Sequence, residues 1–150
     1  MCADPRSPIW RRRDTERRLA HDVDVWVSSA SPDGTPYLVP LSFDWDGRSL
    51  LLSTRADSPT ARNLGDTGRA RLGLGPSRDV TMIDGDVQEL DLCELPPADA
   101  QRFVARTGFD PCAQVETYRW FRITPTRIQA WREADELPGR DLMRAGRWVA

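Results

Sequence analysis

Apolar and polar residues alternate with a period of two in Val23-Asp24-Val25-Trp26-Val27-Ser28-Ser29-Ala30, the mark of a strand with one buried face. Ser31-Pro32-Asp33-Gly34 is a turn, so the pattern predicts an antiparallel partner beginning near Pro36. That partner, Tyr37 to Trp45, is rich in β-branched and aromatic residues. Asp46-Gly47 then supplies a hairpin dipeptide whose glycine tolerates positive φ. Leu50-Leu51-Leu52 resumes the sheet and ends at Ser53-Thr54. Ala70 to Gly75 alternates again, with Gly73 and Gly75 marking a bulge or a close backbone approach. Val80 to Leu92 reads as a long strand interrupted near Asp84-Gly85-Asp86. Tyr118 to Ile123 and Arg127 to Trp131 read as two strands on either side of Pro125, and the chain ends on the apolar pairs Leu142-Met143 and Trp148-Val149.

Helical signals fall between the strands. Trp10 to His21 reads as a charged helix with Trp10, Leu19 and Ala20 as its thin apolar side. Residues 1–9 are expected to be mobile, because Pro5 and Pro8 block regular structure. Ser58 is placed to cap a helix that has Pro59 at its first position and runs to about residue 66. Ala98 to Thr107 makes a third helix, with Phe103 and Val104 inward and Gly108 as its C-terminal cap. Six or more hairpin-connected strands with inserted helices predict a mainly β chain, a small antiparallel β-barrel with peripheral helices, in one domain over residues 1–150. The order is not βαβ, and no G-x-G-x-x-G follows a strand, which removes a dinucleotide-binding fold.

Composition narrows the chemistry. At 150 residues the chain can bury about two thirds of its unfolded surface, so its stability needs no disulfides. Cys2, Cys93 and Cys112 are odd in number and scattered, the pattern of reduced thiols, and a single histidine, His21, argues against a His/Cys metal site. With no long apolar run and no signal-like N-terminus, a cytoplasmic location and no membrane partner are expected. Net charge is −2, and all 21 basic residues are arginine. The dense group Arg11-Arg12-Arg13 and Arg17-Arg18 is interleaved with Asp14 and Glu16, a solvated helix face and not a nucleic-acid stripe.

The segment after the third strand carries the candidate chemistry. Ser53 and Thr54 end a strand, Ser58 opens a helix, and Arg62 follows one turn in. Backbone N–H groups and the positive end of the helix dipole favour an anion there, and arginine adds bidentate hydrogen bonds. Simpler roles compete: a strand end, a helix cap and a surface arginine.

In order, S-P-D-G-T-P-Y-L-V-P-L, W-D-G, L-L-L-S-T, S-P-T-A-R-N-L, R-D-V and R-I-Q-A-W resemble the pyridoxamine 5′-phosphate oxidase-like superfamily over roughly residues 20–132. These are the FMN-binding split β-barrels, some of whose members use a deazaflavin coenzyme. The resemblance implies a six-stranded split barrel, a homodimer with cofactors between subunits, and FMN or deazaflavin as cofactor. It places Val39, Pro40 and Leu41 beside the flavin ring and Ser53, Thr54, Ser58 and Arg62 at its phosphate. Thr60 joins them where relatives carry lysine, and Arg78 and Asp79 fall near the ring or ribityl chain. Trp131 matches a flavin-side tryptophan, while Arg140 and Arg144 keep an R-x-x-x-R pair for substrate, with Leu142 in place of its central histidine. Pro59-Thr60 replaces an Arg-Lys pair, which thins the phosphate clamp and leaves Arg62, helped by Arg55, to neutralise the charge.

A bound flavin carries hydride chemistry itself, so no side chain is assigned a catalytic role and no metal is expected. Tyr37, Trp45 or Trp131 would give a small organic substrate a stacking surface. Trp26, Trp45 and Trp120 are expected in the barrel or dimer core. The alternative to an oxidoreductase is a non-catalytic split barrel that binds or sequesters a flavin, haem-like or other aromatic ligand.

Overall fold

A computed structural model describes residues 4–150. Helix α1 (Pro8–His21) lies against one end of a sheet made of β1 (Asp24–Ala30), β2 (Pro36–Trp45), β3 (Leu50–Arg55), β4 (Arg69–Leu74), β5 (Val80–Leu90), β6 (Tyr118–Trp131), β7 (Asp141–Arg144) and β8 (Arg147–Trp148). Helix α2 (Pro59–Thr67) links β3 to β4, and α3 (Pro97–Thr107) lies between β5 and β6. Strand order is β3-β2-β1-β4-β5-β6-β7-β8, and β3 also pairs with β6, which closes β1 to β6 into a six-stranded antiparallel barrel. The expected fold class is therefore the observed one.

Local signals account for most of the elements. Gly34 and Gly47 take positive φ in the two hairpin turns. Ser58 caps α2 by accepting the Ala61 N–H at 3.0 Å, and Gly68 ends that helix in the left-handed region. The barrel interior is filled by Val25, Val27, Phe43, Leu50, Leu52, Leu72, Ile83, Phe121, Ile123 and Ile128, with Leu64 of α2 among them. Leu51 points the other way, into a second core of Leu95, Phe103 and Trp120 under α3. Both faces of β3 are thus covered, which is why three consecutive leucines are all buried.

The structure differs from the sequence reading in several places. Pro125 does not divide two strands: β6 runs unbroken through it, because Pro125 sits opposite Gly85 where the β5–β6 register shifts. A residue without an N–H is tolerated at such a bulge, and a Cβ on Gly85 would collide with Ile123 and the Thr124 carbonyl. The buried side of α1 is Arg11, Thr15 and Leu19; Trp10 is 54% exposed and Ala20 is exposed. Arg11 donates to the carbonyls of Glu136 (2.8 Å), Ala130 and Pro138, and the Thr15 hydroxyl meets that of Thr81, so the helix seats on a polar rim. Pro8 opens α1 at its first position instead of blocking it, with Ser7 as cap, and Arg6 is tied to Glu136 and Asp14; residues 1–3 lie outside the described residues. Of the three tryptophans expected in the barrel or dimer core, Trp120 is buried and Trp45 packs partly buried against the barrel core, while Trp26 lies outside the barrel core, 52% exposed on the outer face.

Candidate functional site

The outer face of β2, β1, β4, β5 and β6 carries cross-strand rows. One row runs Pro40, Trp26, Gly73, Met82 and Gln129; the next runs Leu38, Ser28, Arg71, Asp84 and Arg127. Three hollows along this face share lining residues and form one groove. The first, about 450 Å³, is lined by Ser42, Pro40 and Leu41 of β2, Ser53, Thr54 and Arg55 of β3, Ser58, Asp24, and the aromatic wall Phe103, Phe109 and Tyr118. Asp24 and Pro40 continue into a second hollow of about 280 Å³, which shares Trp26, Gly73, Leu74 and Gly75 with a third. That third hollow, about 520 Å³, ends among Leu38, Val80, Met82 and Trp131. One end of the groove is therefore rich in hydroxyls and the other is apolar and bounded by two tryptophans.

The hydroxyl end is built by the turn from β3 into α2. Ser53 Oγ donates to the Arg119 carbonyl at 2.9 Å and is held by the fold. The hydroxyls of Thr54 and Ser58 lie 3.4 Å apart, and each has lone pairs or a proton to spare for a ligand. Pro59 has no N–H and Ala61's is taken by Ser58, so Thr60's is the amide of the first turn that keeps no acceptor among the described residues. The backbone cradle is correspondingly narrower than a helix N-terminus alone suggests. Arg55 and Arg62 stand beside it, both turned onto Asp57: Arg55 forks onto the carboxylate at 3.0 and 2.9 Å, and Arg62 donates to the Asp57 carbonyl at 2.6 Å. Arg55 holds the Asp57 carboxyl below the usual range, and Asp57 raises the Arg55 guanidinium in return.

Of the residues singled out in the sequence, Pro40, Leu41, Ser53, Thr54 and Ser58 meet in the first hollow, and Trp131 lies at the far end of the same groove. Arg62 reaches the turn that borders it. Val39 and Leu41 pack on the barrel core, because period two along β2 sends them inward while Leu38, Pro40 and Ser42 face out. Thr60 is fully buried, with its hydroxyl unpartnered, and does not line the groove. Arg78 pairs with Glu133, and Asp79 is held by Arg6, Arg18 and Arg132 at the end of the barrel under α1. Tyr37 is 40% exposed at the start of β2, and Arg144 is bound to Asp141 on β7; neither they nor Arg140 line the groove.

Sequence reasoning missed Asp24, Ser42, Trp26, Leu38, Met82, Phe109 and Tyr118. Strict alternation along β2 would have selected Leu38 and Ser42, and the hairpin register then brings in Trp26 and Asp24, whose carboxylate accepts the Ser42 hydroxyl at 2.8 Å. Phe109 and Tyr118, with ring centres 5.3 Å apart, carry no local signal. A larger hollow of about 700 Å³ adjoins the apolar end, sharing Ser28 and Arg71 with it, and is bordered by Arg69, Arg71, Asp84 and Asp86, where opposite charges face one another and no net charge remains for an anion.

A closed six-stranded antiparallel barrel with three helices is the split-barrel fold. The chain belongs to the pyridoxamine 5′-phosphate oxidase family, whose model matches residues 16–132. Similar solved structures include an F420 reductase (TM-score 0.63, 18% identity, 75% of this chain and 94% of that one). HutZ, the haem storage protein from Vibrio cholerae, superposes with TM-score 0.66 at 14% identity, over 75% of this chain and 88% of its own. A pyridoxamine 5′-phosphate oxidase-related, FMN-binding protein from Nostoc punctiforme gives TM-score 0.53 at 16% identity, over 87% and 86%. At these identities the likeness speaks for the fold. No curated protein matches the chain.

Proposed function

We propose that this protein is a flavin-dependent oxidoreductase that binds FMN, with the deazaflavin coenzyme as the alternative, between two copies of the chain. The observation that carries this reading is the polarity of the groove, from the hydroxyls of Thr54 and Ser58 beside two arginines to the apolar surface of Trp26, Leu38, Met82 and Trp131. A ligand with an anionic tail and a flat aromatic ring matches both ends. Thr54 and Ser58 would orient the phosphate, and Arg55 and Arg62 would offset its charge. Trp26 and Trp131 would lie against the ring, and the Phe103, Phe109 and Tyr118 wall would exclude water from the tail. When bound, the flavin supplies the hydride chemistry for a small organic substrate. Gly73 leaves the floor of the groove bare: a Cβ there would meet Met82 Sδ at 3.6 Å and Trp26 Cβ at 3.8 Å, ordinary contacts, so the chain itself does not demand a glycine. The partner subunit is a second copy laid on this face, where Trp26 and Leu38 are 52% and 60% exposed.

Titration of the protein with FMN and, separately, with the deazaflavin coenzyme, followed by tryptophan quenching, tests the reading. Micromolar binding of one of them is expected, weakened by about 1.5–3 kcal/mol in Arg62→Ala through loss of a charged hydrogen bond. Binding of neither would sink it. A second reading, a barrel that sequesters an aromatic ligand such as haem without catalysis, is favoured by one observation. Thr60 is buried at the position where the family resemblance implies a lysine, and both nearby arginines are already engaged by Asp57. Haem binding without flavin binding would select that reading.

A further inference from the structure

The turn that leads into α2 holds two cations and one carboxylate. The carboxylate of Asp57 takes Nε and Nη2 of Arg55, while its backbone carbonyl takes Nη1 of Arg62. Arg55 lines the hydroxyl end of the groove together with Thr54 and Ser58. Asp57 is the next residue but one, and its side chain is 70% exposed. We propose that the Asp57 carboxylate is an internal competitor for the anion site, occupying Arg55 until a phosphate displaces it, and that it thereby sets the protein's affinity for phosphate-bearing over phosphate-free ligands. The inference rests on the reading that a phosphate binds at Thr54, Ser58 and Arg62.

Geometry supports the exchange. A carboxylate and a phosphate both offer two oxygens at the spacing of a guanidinium fork, so Arg55 can serve one or the other in the same bidentate way. An exposed ion pair is worth little, so Asp57 tunes the site without closing it. The charge count works the same way. With Asp57 ionised the turn carries one net positive charge from Arg55, Arg62 and Asp57; without it the turn carries two, against a phosphate of nearly two negative charges. The carbonyl that holds Arg62 belongs to the backbone, so Asp57→Asn removes the competitor and leaves that contact in place.

The test measures dissociation constants of FMN and of riboflavin, which lacks the phosphate, for the wild type, Asp57→Asn, Asp57→Ser and Arg62→Ala. Both Asp57 variants are expected to bind FMN about two- to fivefold more tightly than wild type, with riboflavin unchanged and the gain shrinking as salt is raised. Unchanged or weaker FMN binding by the Asp57 variants, while Arg62→Ala still weakens it, overturns the inference and leaves the functional reading standing. An equal gain for FMN and riboflavin also overturns it, because the effect then does not act on phosphate. Failure of every variant to bind FMN removes both the inference and the FMN reading beneath it.

Discussion

Glu136 shows what one side chain contributes in this fold. It is 2% exposed, yet it receives the Arg6 guanidinium at 2.8 Å and the backbone N–H groups of Arg6 and Arg132. The Arg6 hydrogen bond, foremost among these contacts, lowers its pKa from 4.5 to about 2. Folding therefore gains stability from the ionised carboxylate that is fully present above the unfolded value and is lost as pH falls through about 2. The shift corresponds to about 3 kcal/mol. Glu136→Gln is expected to lower the unfolding free energy at pH 7 by that order. In urea titrations the difference from wild type should close as pH falls from about 5 to 2. A constant difference across that range would mean that shape, and not charge, holds the loop. Neither Arg6 nor Glu136 is marked by its sequence neighbours, because the pair spans the chain and only closure of the fold brings it together.

At the scale of elements, α1 separates what pattern predicts from what packing decides. The alternation of acidic and basic residues correctly marks a helix, but its few apolar residues mislead about the face it buries. Arg11 is 4% exposed and donates to three carbonyls at the rim of the barrel, whereas Trp10 and Ile9 face solvent. An arginine in a helix pattern reads as surface unless its acceptors are known. Arg11→Met keeps the stem but leaves those carbonyls without their donor. A loss of about 2–4 kcal/mol is expected, with hydrogen exchange speeding up in α1 before it does in β5 and β6. Uniform loss of protection would instead mean that α1 and the barrel unfold as one unit. Strand β6 teaches the same lesson: Pro125 breaks a strand only where the ladder needs its N–H, and a bulge opposite Gly85 removes that need.

For the whole molecule, the proposed dimer makes a testable demand on the outer face. Trp26, Leu38, Met82 and Trp131 form an apolar strip bordered by the Arg71–Asp84 and Arg127–Asp141 ion pairs. An apolar centre with a polar rim is the usual anatomy of a protein interface. The wild type is expected to sediment as a dimer and Trp26→Arg as a folded monomer with its circular dichroism retained. A monomeric wild type would remove the second subunit from the proposed site. Cofactor affinity should fall with dimerisation in Trp26→Arg, whereas Arg62→Ala should lose affinity and remain dimeric.

The sequence alone determined the elements and the family. Period-two alternation, hairpin glycines, the Ser58-Pro59 cap and the ordered motifs all act over a few residues, where backbone sterics and local hydrogen bonds decide. It also marked Pro40, Leu41, Ser53, Thr54, Ser58 and Trp131, which the structure places along one groove. Tertiary structure alone decided the rest: the Phe109 and Tyr118 wall, the burial of Arg11, and the capture of Arg55 and Arg62 by Asp57. Each depends on how strands register and where an arginine's long stem finds its acceptor. Those are choices made by barrel closure between residues far apart in the chain, and no local pattern encodes them.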